Sequence, residues 1–383
     1  MTEQLKLKLN DSKATRWGAL VIVAFTMMAA YYVNDVVAPL KTMLETDLAW
    51  SSTDFGFFTG GYSFLNVFFL MLIWGGLILD RFGIRFTGKL ATILMVGGTA
   101  LEYYAMTGLA GADATLFGIN EIFGYKTGVF VAFAGYSIFG VGAEVAGITV
   151  SKIIAKWFKG KELATAMGVQ VALARIGSQA GYAVAIPLAR AFGISTPVLL
   201  GLVLLLGGMI AFFIFAVMDK KLDKQMEAAA IAAGTEDEEE KFSFKDVKNI
   251  LVNPGFWLIA LLCVLFYSCV FPFQKFASEL MIIKYGINEN VAGTFAGLPA
   301  LGALILTPVF GGFIDKRGKS ASIMLLGSAM LICVHFIYAI PDINYWLVAI
   351  VLMIILGIAF SLVPSAMWPA VAKIFPVSQL GTA

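Results

Sequence analysis

Charge is scarce in this sequence, and so are the residues on which metal, redox and nucleophilic chemistry depend. Asp, Glu, Lys and Arg make up 14% of 383 residues, against roughly 25% in soluble domains. Hydrophobic residues make up 60%, more apolar surface than a water-soluble core of this length can hide. One histidine, His335, rules out a paired-histidine metal site. The three cysteines, Cys263, Cys269 and Cys333, fall inside apolar blocks without metal-ligand spacing and read as small buried hydrophobes. A net charge of +2 gives no reason to expect a nucleic-acid partner. Walker loops, H-E-x-x-H and G-x-S-x-G are all missing, which leaves ATP-driven pumping and membrane hydrolysis without support. The chain is expected to be no enzyme and to need no cofactor or metal.

What is present is a set of long apolar blocks. A bilayer span needs about 20 apolar residues, and ten blocks qualify: 17–39, 54–79, 86–109, 127–151, 163–190, 196–218, 255–283, 289–314, 320–340 and 344–372. They do not alternate as barrel strands do, so the expected fold is an all-α polytopic membrane protein. Glycines within the blocks, such as Gly135, Gly140, Gly142 and Gly147, suit close helix packing in lipid. Met1 to Trp17 is charged and lacks a small-residue cleavage site, so the first block is expected to be a permanent helix. Placing the N-terminus in the cytoplasm puts 21 of the 27 Lys and Arg residues in inside loops. Lys41, Lys126, Arg190 and Lys284 face the opposite side, and Arg175 and Lys275 lie within spans. That bias predicts a cytoplasmic N-terminus. Residues 219–254 form the one long polar stretch, with the acidic run Glu236 to Glu240. It reads as a solvated linker between a bundle over 1–218 and a second over 255–383, with a regulatory docking site as the alternative.

Two short inside loops repeat each other. Gly76, Asp80, Arg81 and Gly83 follow span two; Gly311, Asp315, Lys316 and Gly318 follow span eight. Both read G-x-x-x-D-[RK]-x-G, six spans apart. The first glycine is expected to allow a close helix crossing, the aspartate to meet a basic group or a helix end, and the second glycine to permit a tight turn. This pattern resembles the signature loop of the major facilitator superfamily, whose two six-helix halves rock around a central site. The resemblance implies twelve spans, ten of which are present. Gln379 to Ala383 looks like the loop before an eleventh helix, against which the family's counterpart of Asp80 packs. Scattered segments are also similar to the lysosomal dipeptide-transporter branch: Trp157 to Leu163, Ala174 to Ser178, Gly142 to Glu144, Phe256 to Ile259, Val270 to Phe273 and Leu380 to Ala383. That likeness implies facilitative transport of dipeptides. Met1 to Arg16 holds no acidic-dileucine sorting signal, which favours a cell (inner or plasma) membrane over a lysosome.

Ionisable groups inside spans cost about 2.5–3.5 kcal/mol each to insert and so ask for a reason. Glu144 in span four and Arg175 in span five lie roughly 12 and 18 Å from the inside, by the rise of an α-helix. One reading has Arg175 holding a substrate carboxylate and Glu144 meeting an ammonium; the other is a permanent ion pair between helices. Asp35, near Asn34 and Tyr32, either faces the cavity or caps a solvated helix end. Lys275 and Glu279 have the spacing of a self-contained helix pair, with a gate or anchor as the alternative. Glu102 and His335 lie on peripheral spans of the family plan and read as structural. Asn66, Tyr267 and Trp368 are candidate cavity residues, with Tyr62 and Phe271 behind them, since aromatic rings offer a cation–π surface. Pro272, Pro364 and Pro369 are expected to bend spans seven and ten.

The leading expectation is therefore a carrier that moves a small zwitterion, such as a dipeptide, across the bilayer by alternating access. The runner-up is a proton-coupled symporter of organic anions or sugars, with Glu144 or Asp35 as the proton site. A non-transporting receptor or scaffold is the third reading, resting on the ten-helix count and the acidic linker.

Overall fold

The structure, a computed structural model, describes residues 8–111, 114–233 and 250–374. The chain divides into two compact units, Met1–Thr235 and Glu236–Ala383. In the first unit α1 (Lys13–Val36) starts at Ser12, whose hydroxyl accepts from the Thr15 N–H. A short α2 (Lys41–Asp47) follows, then α3 (Ser52–Phe68), opened by a reciprocal cap between Ser51 and Asp54. Next come α4 (Met71–Thr107), a hairpin of β1 (Glu121–Ile122) and β2 (Tyr125–Lys126), α5 (Thr127–Trp157), α6 (Leu163–Phe192) and α7 (Thr196–Ala233). The second unit holds α8 (Pro254–Ile283), α9 (Glu289–Ala296), α10 (Leu298–Arg317), α11 (Ser320–Ala339) and α12 (Trp346–Ile374).

All ten expected blocks are helical. Among the described residues, seven stretches are long and apolar enough to cross a membrane, and the bent pair α3–α4 makes eight. The helix α6 has the length, but Gln170, Arg175 and Gln179 dilute its apolar character.

Three expectations need correction. Span two is not continuous: it breaks after Phe68, bends by 58° and restarts at Met71, with Leu70 in the left-handed region (φ 51, ψ 38). No Gly or Pro marks the break, so hydropathy ran straight through it. Span six does not stop at 218, because α7 runs on through Ala233; Asp219 and Leu222 are fully buried in this extension. Block 289–314 stays one candidate span, Glu289–Ile314, although its helix is divided at Gly297 into α9 and α10. Lastly, among the described residues no helix crosses closely at Gly76 or Gly311, since a side chain at either would meet open space. Gly75 does that work instead, with Val145 Cγ2 2.5 Å from where its Cβ would be. The second glycines of the loops behave as expected: Gly83 (φ 75) and Gly318 (φ 66) adopt backbone that a side chain would strain.

Within lipid no hydrophobic drive pulls helices together, so close packing must do it. The α4–α5 crossing is built from small residues. A Cβ on Gly98 would lie 2.4 Å from the Phe139 nitrogen, and one on Gly142 would lie 2.7 Å from the Ala91 carbonyl. Gly140 brings α5 against α3, 2.3 Å from the Tyr62 carbonyl, and Gly177 brings α6 against α1, 2.1 Å from the Met28 carbonyl.

The end of this unit that carries the N-terminus is sealed by charge pairs. Lys161 donates to Asp11 at 2.6 Å and Arg16 to Glu162 at 2.7 Å. Each lysine or arginine holds its carboxyl partner below the usual carboxylate range through the hydrogen bond it donates. Deeper in, fully buried Asp219 accepts from Lys156 at 2.7 Å and from the Trp157 indole at 3.0 Å, while Arg85 pairs with Asp223 at 3.0 Å.

Candidate functional site

Four helices of the first unit bring two opposite charges to two tyrosines. Glu144, half-buried on α5, accepts at Oε1 from the Tyr62 hydroxyl of α3 at 2.8 Å. On α6 the Arg175 guanidinium lies over the Tyr31 ring of α1, 5.6 Å from its centroid. Tyr31 and Tyr62 lie close enough to act on each other electrostatically. Below them, fully buried Tyr136 packs 5.7 Å from Tyr62 and donates to the Asn34 carbonyl at 2.7 Å.

Local sequence explains each placement. Gly140 lies one turn before Glu144 and rests on the backbone of Tyr62 itself. Gly177 lies two residues after Arg175 and rests on Met28, three residues before Tyr31. Both glycines let two backbones approach closely next to the charge that the crossing serves. Glu144 is met by the Tyr62 hydroxyl, and Arg175 is met by the face of the Tyr31 ring.

Asn66 sits one turn beyond Tyr62, donates to the Tyr62 carbonyl at 3.1 Å and keeps its own Oδ1 buried, in the last turn before the α3 break. Asp35 accepts from Asn34 at 2.8 Å and lies near Tyr136 and Tyr182. Tyr32, three residues before Asp35, is 2% exposed and donates to the Pro197 carbonyl, so its role is packing. Glu102 is fully buried on α4, and His335 stands edge-on to Phe273 at 4.9 Å.

Tyr267, Lys275 and Trp368 belong to the second unit. Tyr267 stacks on Phe271 at 5.0 Å, with Phe360 6.4 Å away. Lys275 is half-buried on α8, and Trp368 is 56% exposed. Glu279 lines a cavity of about 350 Å³ with Phe273, Phe276, Leu280, Ile283 and Lys284. In the repeated loops, Asp80 accepts from Lys152 at 2.8 Å and Arg81 covers the Phe82 ring. The side chain of Asp315 lies outside the described residues; Lys316 is exposed.

Tyr31 was missed by sequence reasoning. A signal existed: Tyr31, Asn34 and Asp35 fall at i, i+3 and i+4, a polar stripe on an otherwise apolar helix. Chemically, the group offers a carboxylate and a guanidinium, which suits a molecule carrying an ammonium at one end and a carboxylate at the other.

Comparison with known proteins places the chain among membrane transporters. The family model of the Major Facilitator Superfamily matches residues 20–383. The human lysosomal dipeptide transporter MFSD1 is 28% identical over 384 residues, covering 97% of this chain and 75% of that protein. A crystal structure of a D-xylose–proton symporter aligns with a TM-score of 0.65 at 16% identity, over 96% of this chain and 84% of that one. A bacterial homologue of the human lysosomal transporter Spinster, inward-facing and unoccupied, aligns with a TM-score of 0.64 at 13% identity, over 97% and 78% of the two chains.

Proposed function

The chain belongs to the Major Facilitator Superfamily, and on that premise we propose that it carries small zwitterions, dipeptides foremost, as a uniporter. It is an integral multi-pass membrane transporter and not an enzyme. The carrying observation is that Glu144 and Arg175 are brought to two neighbouring tyrosines, Glu144 by a hydrogen bond from Tyr62 and Arg175 over the ring of Tyr31. Arg175 takes the solute carboxylate with its planar fork, and Glu144 takes the ammonium. The named activity of the MFSD1 relatives supports this choice of solute. Asn66, Asp35, Tyr267, Lys275 and Trp368 are proposed to line the solute path, and the Asp80–Gly83 and Asp315–Gly318 loops to govern the conformational change. The excess of Lys and Arg in the inside loops supports a cytoplasmic N-terminus, and the missing dileucine signal supports a cell envelope membrane.

The test is uptake of dipeptides into liposomes carrying the protein, with and without a pH gradient, alongside Arg175→Ala. Gradient-independent uptake lost in the variant is the expected result. The hydrogen-bonded carboxylate of Glu144 favours a second reading, proton-coupled symport, which predicts uptake only under an inward proton gradient. No dipeptide uptake in either condition sinks the choice of solute.

A further inference from the structure

We propose that the hairpin between α4 and α5 is a membrane-interface anchor, whose Phe117 and Phe123 side chains insert into the lipid leaflet on the side opposite the N-terminus.

The hairpin repeats one short pattern, Leu116-Phe117-Gly118-Ile119 and Ile122-Phe123-Gly124-Tyr125. Each copy is a two-residue turn. Leu116 and Ile119 exchange two backbone hydrogen bonds of 3.0 Å, and Ile122 pairs with Tyr125 across β1 and β2. In both turns Phe takes the first central position, at φ 54 and φ 52, and glycine the second, at φ 81 and φ 80. Turns with positive φ at both positions favour Asn or Asp ahead of the glycine, and a bulky ring there is strained. That strain gains little inside the protein, because Phe117 is 96% and Phe123 88% exposed. A residue that is strained, apolar and outward-facing answers a need outside its own turn, and here the same choice is made twice.

The base of the hairpin is fixed. Tyr125 stacks on Phe57 of α3 at 3.8 Å and 9°, and Phe57 stacks on Phe133 of α5 at 4.2 Å. The Thr127 hydroxyl donates to the Ile119 carbonyl at 2.8 Å, and the Thr127 N–H to the Asn120 carbonyl at 2.9 Å. Lys126 donates to the Ala49 carbonyl, ahead of α3. The two ring tips project from this base.

They project at lipid depth. The 31 residues of α5 reach about 46 Å at 1.5 Å per residue, close to the roughly 40–45 Å of a bilayer with its headgroups. The first turn of α5, on which the hairpin sits, therefore lies at headgroup level. Exposed Tyr104 in the last turn of α4 marks the same level, where amphipathic rings concentrate. The Phe123 ring lies 5.9 Å from Phe130, three residues inside α5, so it turns back toward the bilayer and not away from it. From Phe130 the aromatic run continues to Phe133 at 6.1 Å, then to Phe64 of α3 at 5.2 Å and exposed Phe68 at 5.3 Å. The tips are thus continuous with an apolar face of two spanning helices, while exposed Asn120 and Glu121 between them suit headgroups and water. Acyl chains fit such a surface.

The experiment attaches a nitroxide spin label at Phe117→Cys, Phe123→Cys or Asn120→Cys, in a protein whose Cys263, Cys269 and Cys333 are replaced by Ser. The protein is held in liposomes of phosphatidylcholine and phosphatidylglycerol. Collision rates with oxygen, which concentrates in lipid, are compared with those of a neutral nickel chelate, which stays in water. Oxygen should exceed the chelate several-fold at positions 117 and 123, with the order reversed at 120. Chelate-dominated collisions at either ring position overturn the inference in favour of a water-exposed loop. Low rates for both reagents overturn it in favour of a protein contact. Because the label is itself apolar, a second series places it at Ile119→Cys and leaves the two rings native or changes both, Phe117→Asn with Phe123→Asn. Asparagine suits both left-handed positions, so the turns stay folded. Removing the rings should shift the Ile119 label from oxygen toward the chelate several-fold, and no shift overturns the inference. The readout needs no solute and is independent of what the protein carries.

Discussion

Replacing Gly140 with alanine should disable the site while leaving the protein folded. A Cβ at that position would stand 2.3 Å from the Tyr62 carbonyl oxygen, 3.0 Å from its carbon and 3.1 Å from its Cα. All three are backbone atoms, so no rotamer change relieves the clash, and α3 must retreat by about 1 Å to reach ordinary contact. The Tyr62 hydroxyl travels with its backbone. Its 2.8 Å bond to Glu144 then opens to about 3.8 Å, beyond hydrogen-bond range. Losing a bond to a charged group costs about 1.5–3 kcal/mol, which converts to roughly a 10- to 100-fold rise in KM for a solute that needs Glu144 in place. Overpacking adds a stability cost of about 1–3 kcal/mol. Gly147→Ala on the same helix is the control, since its nearest neighbour is the flexible Met27 Cε at 3.9 Å. The assay is dipeptide uptake in liposomes with a melting curve in detergent for each variant. A Gly140→Ala protein with wild-type KM, or a Gly147→Ala protein equally impaired, would refute the reasoning.

Other perturbations reach separate parts of the structure. Asp219→Leu strips Lys156 and the Trp157 indole of a fully buried acceptor and should destabilise by about 3 kcal/mol; Asp219→Asn keeps an oxygen for the indole and should fall less in Tm. Phe117 (φ 54) and Gly118 (φ 81) form a tight turn closed by two bonds between Leu116 and Ile119, and the Phe117 side chain is 96% exposed. Phe117→Asn suits that left-handed position better and should raise stability by up to about 1 kcal/mol, read as a higher Tm. Asp11 and Glu162 have folded values below their ordinary 3.8 and 4.5. Their stabilisation is therefore present above those values and is lost as pH falls through the lowered folded ones. Limited proteolysis near residue 12 should accelerate over that acid window, and Asp11→Asn should show the faster cutting already at neutral pH.

Helix content and span positions were legible because a bilayer leaves few choices: each apolar block must satisfy its own backbone, so composition and length nearly determine the answer. The two loop glycines with positive φ were legible for the same reason, since their turns admit little else. What escaped were features that composition does not encode. The α3 break falls in a run of Phe, Phe, Leu and Met with no residue that interrupts helices. The extension of α7 depends on Asp219 finding Lys156 and Trp157 on another helix. Depth arithmetic placed Glu144 and Arg175 at similar levels, yet their partners were decided by which faces meet. Tyr62 ranked low among the candidates and Tyr31 was absent from them. Aromatics at helical spacing usually just pack, and only the neighbouring helix tells a packing ring from a positioning one.

That last distinction bears on how the site works. A transporter must bind its solute without holding it, so the empty and loaded sites need comparable free energies. A Glu144–Arg175 pair would weight the balance toward the empty state, and bare charges would weight it toward the loaded one, at about 2.5–3.5 kcal/mol per uncompensated group. Glu144 accepts a hydrogen bond from Tyr62, and Arg175 lies over the ring of Tyr31. The tight glycine crossings keep them there, because α3 cannot drift from α5, nor α1 from α6, without losing the contacts at Gly140 and Gly177. The placement of the two charges therefore depends on the backbone packing and not on side-chain choice alone. Selectivity for solute length should accordingly respond to substitutions at these glycines, which touch no solute, as strongly as to substitutions at the charges themselves.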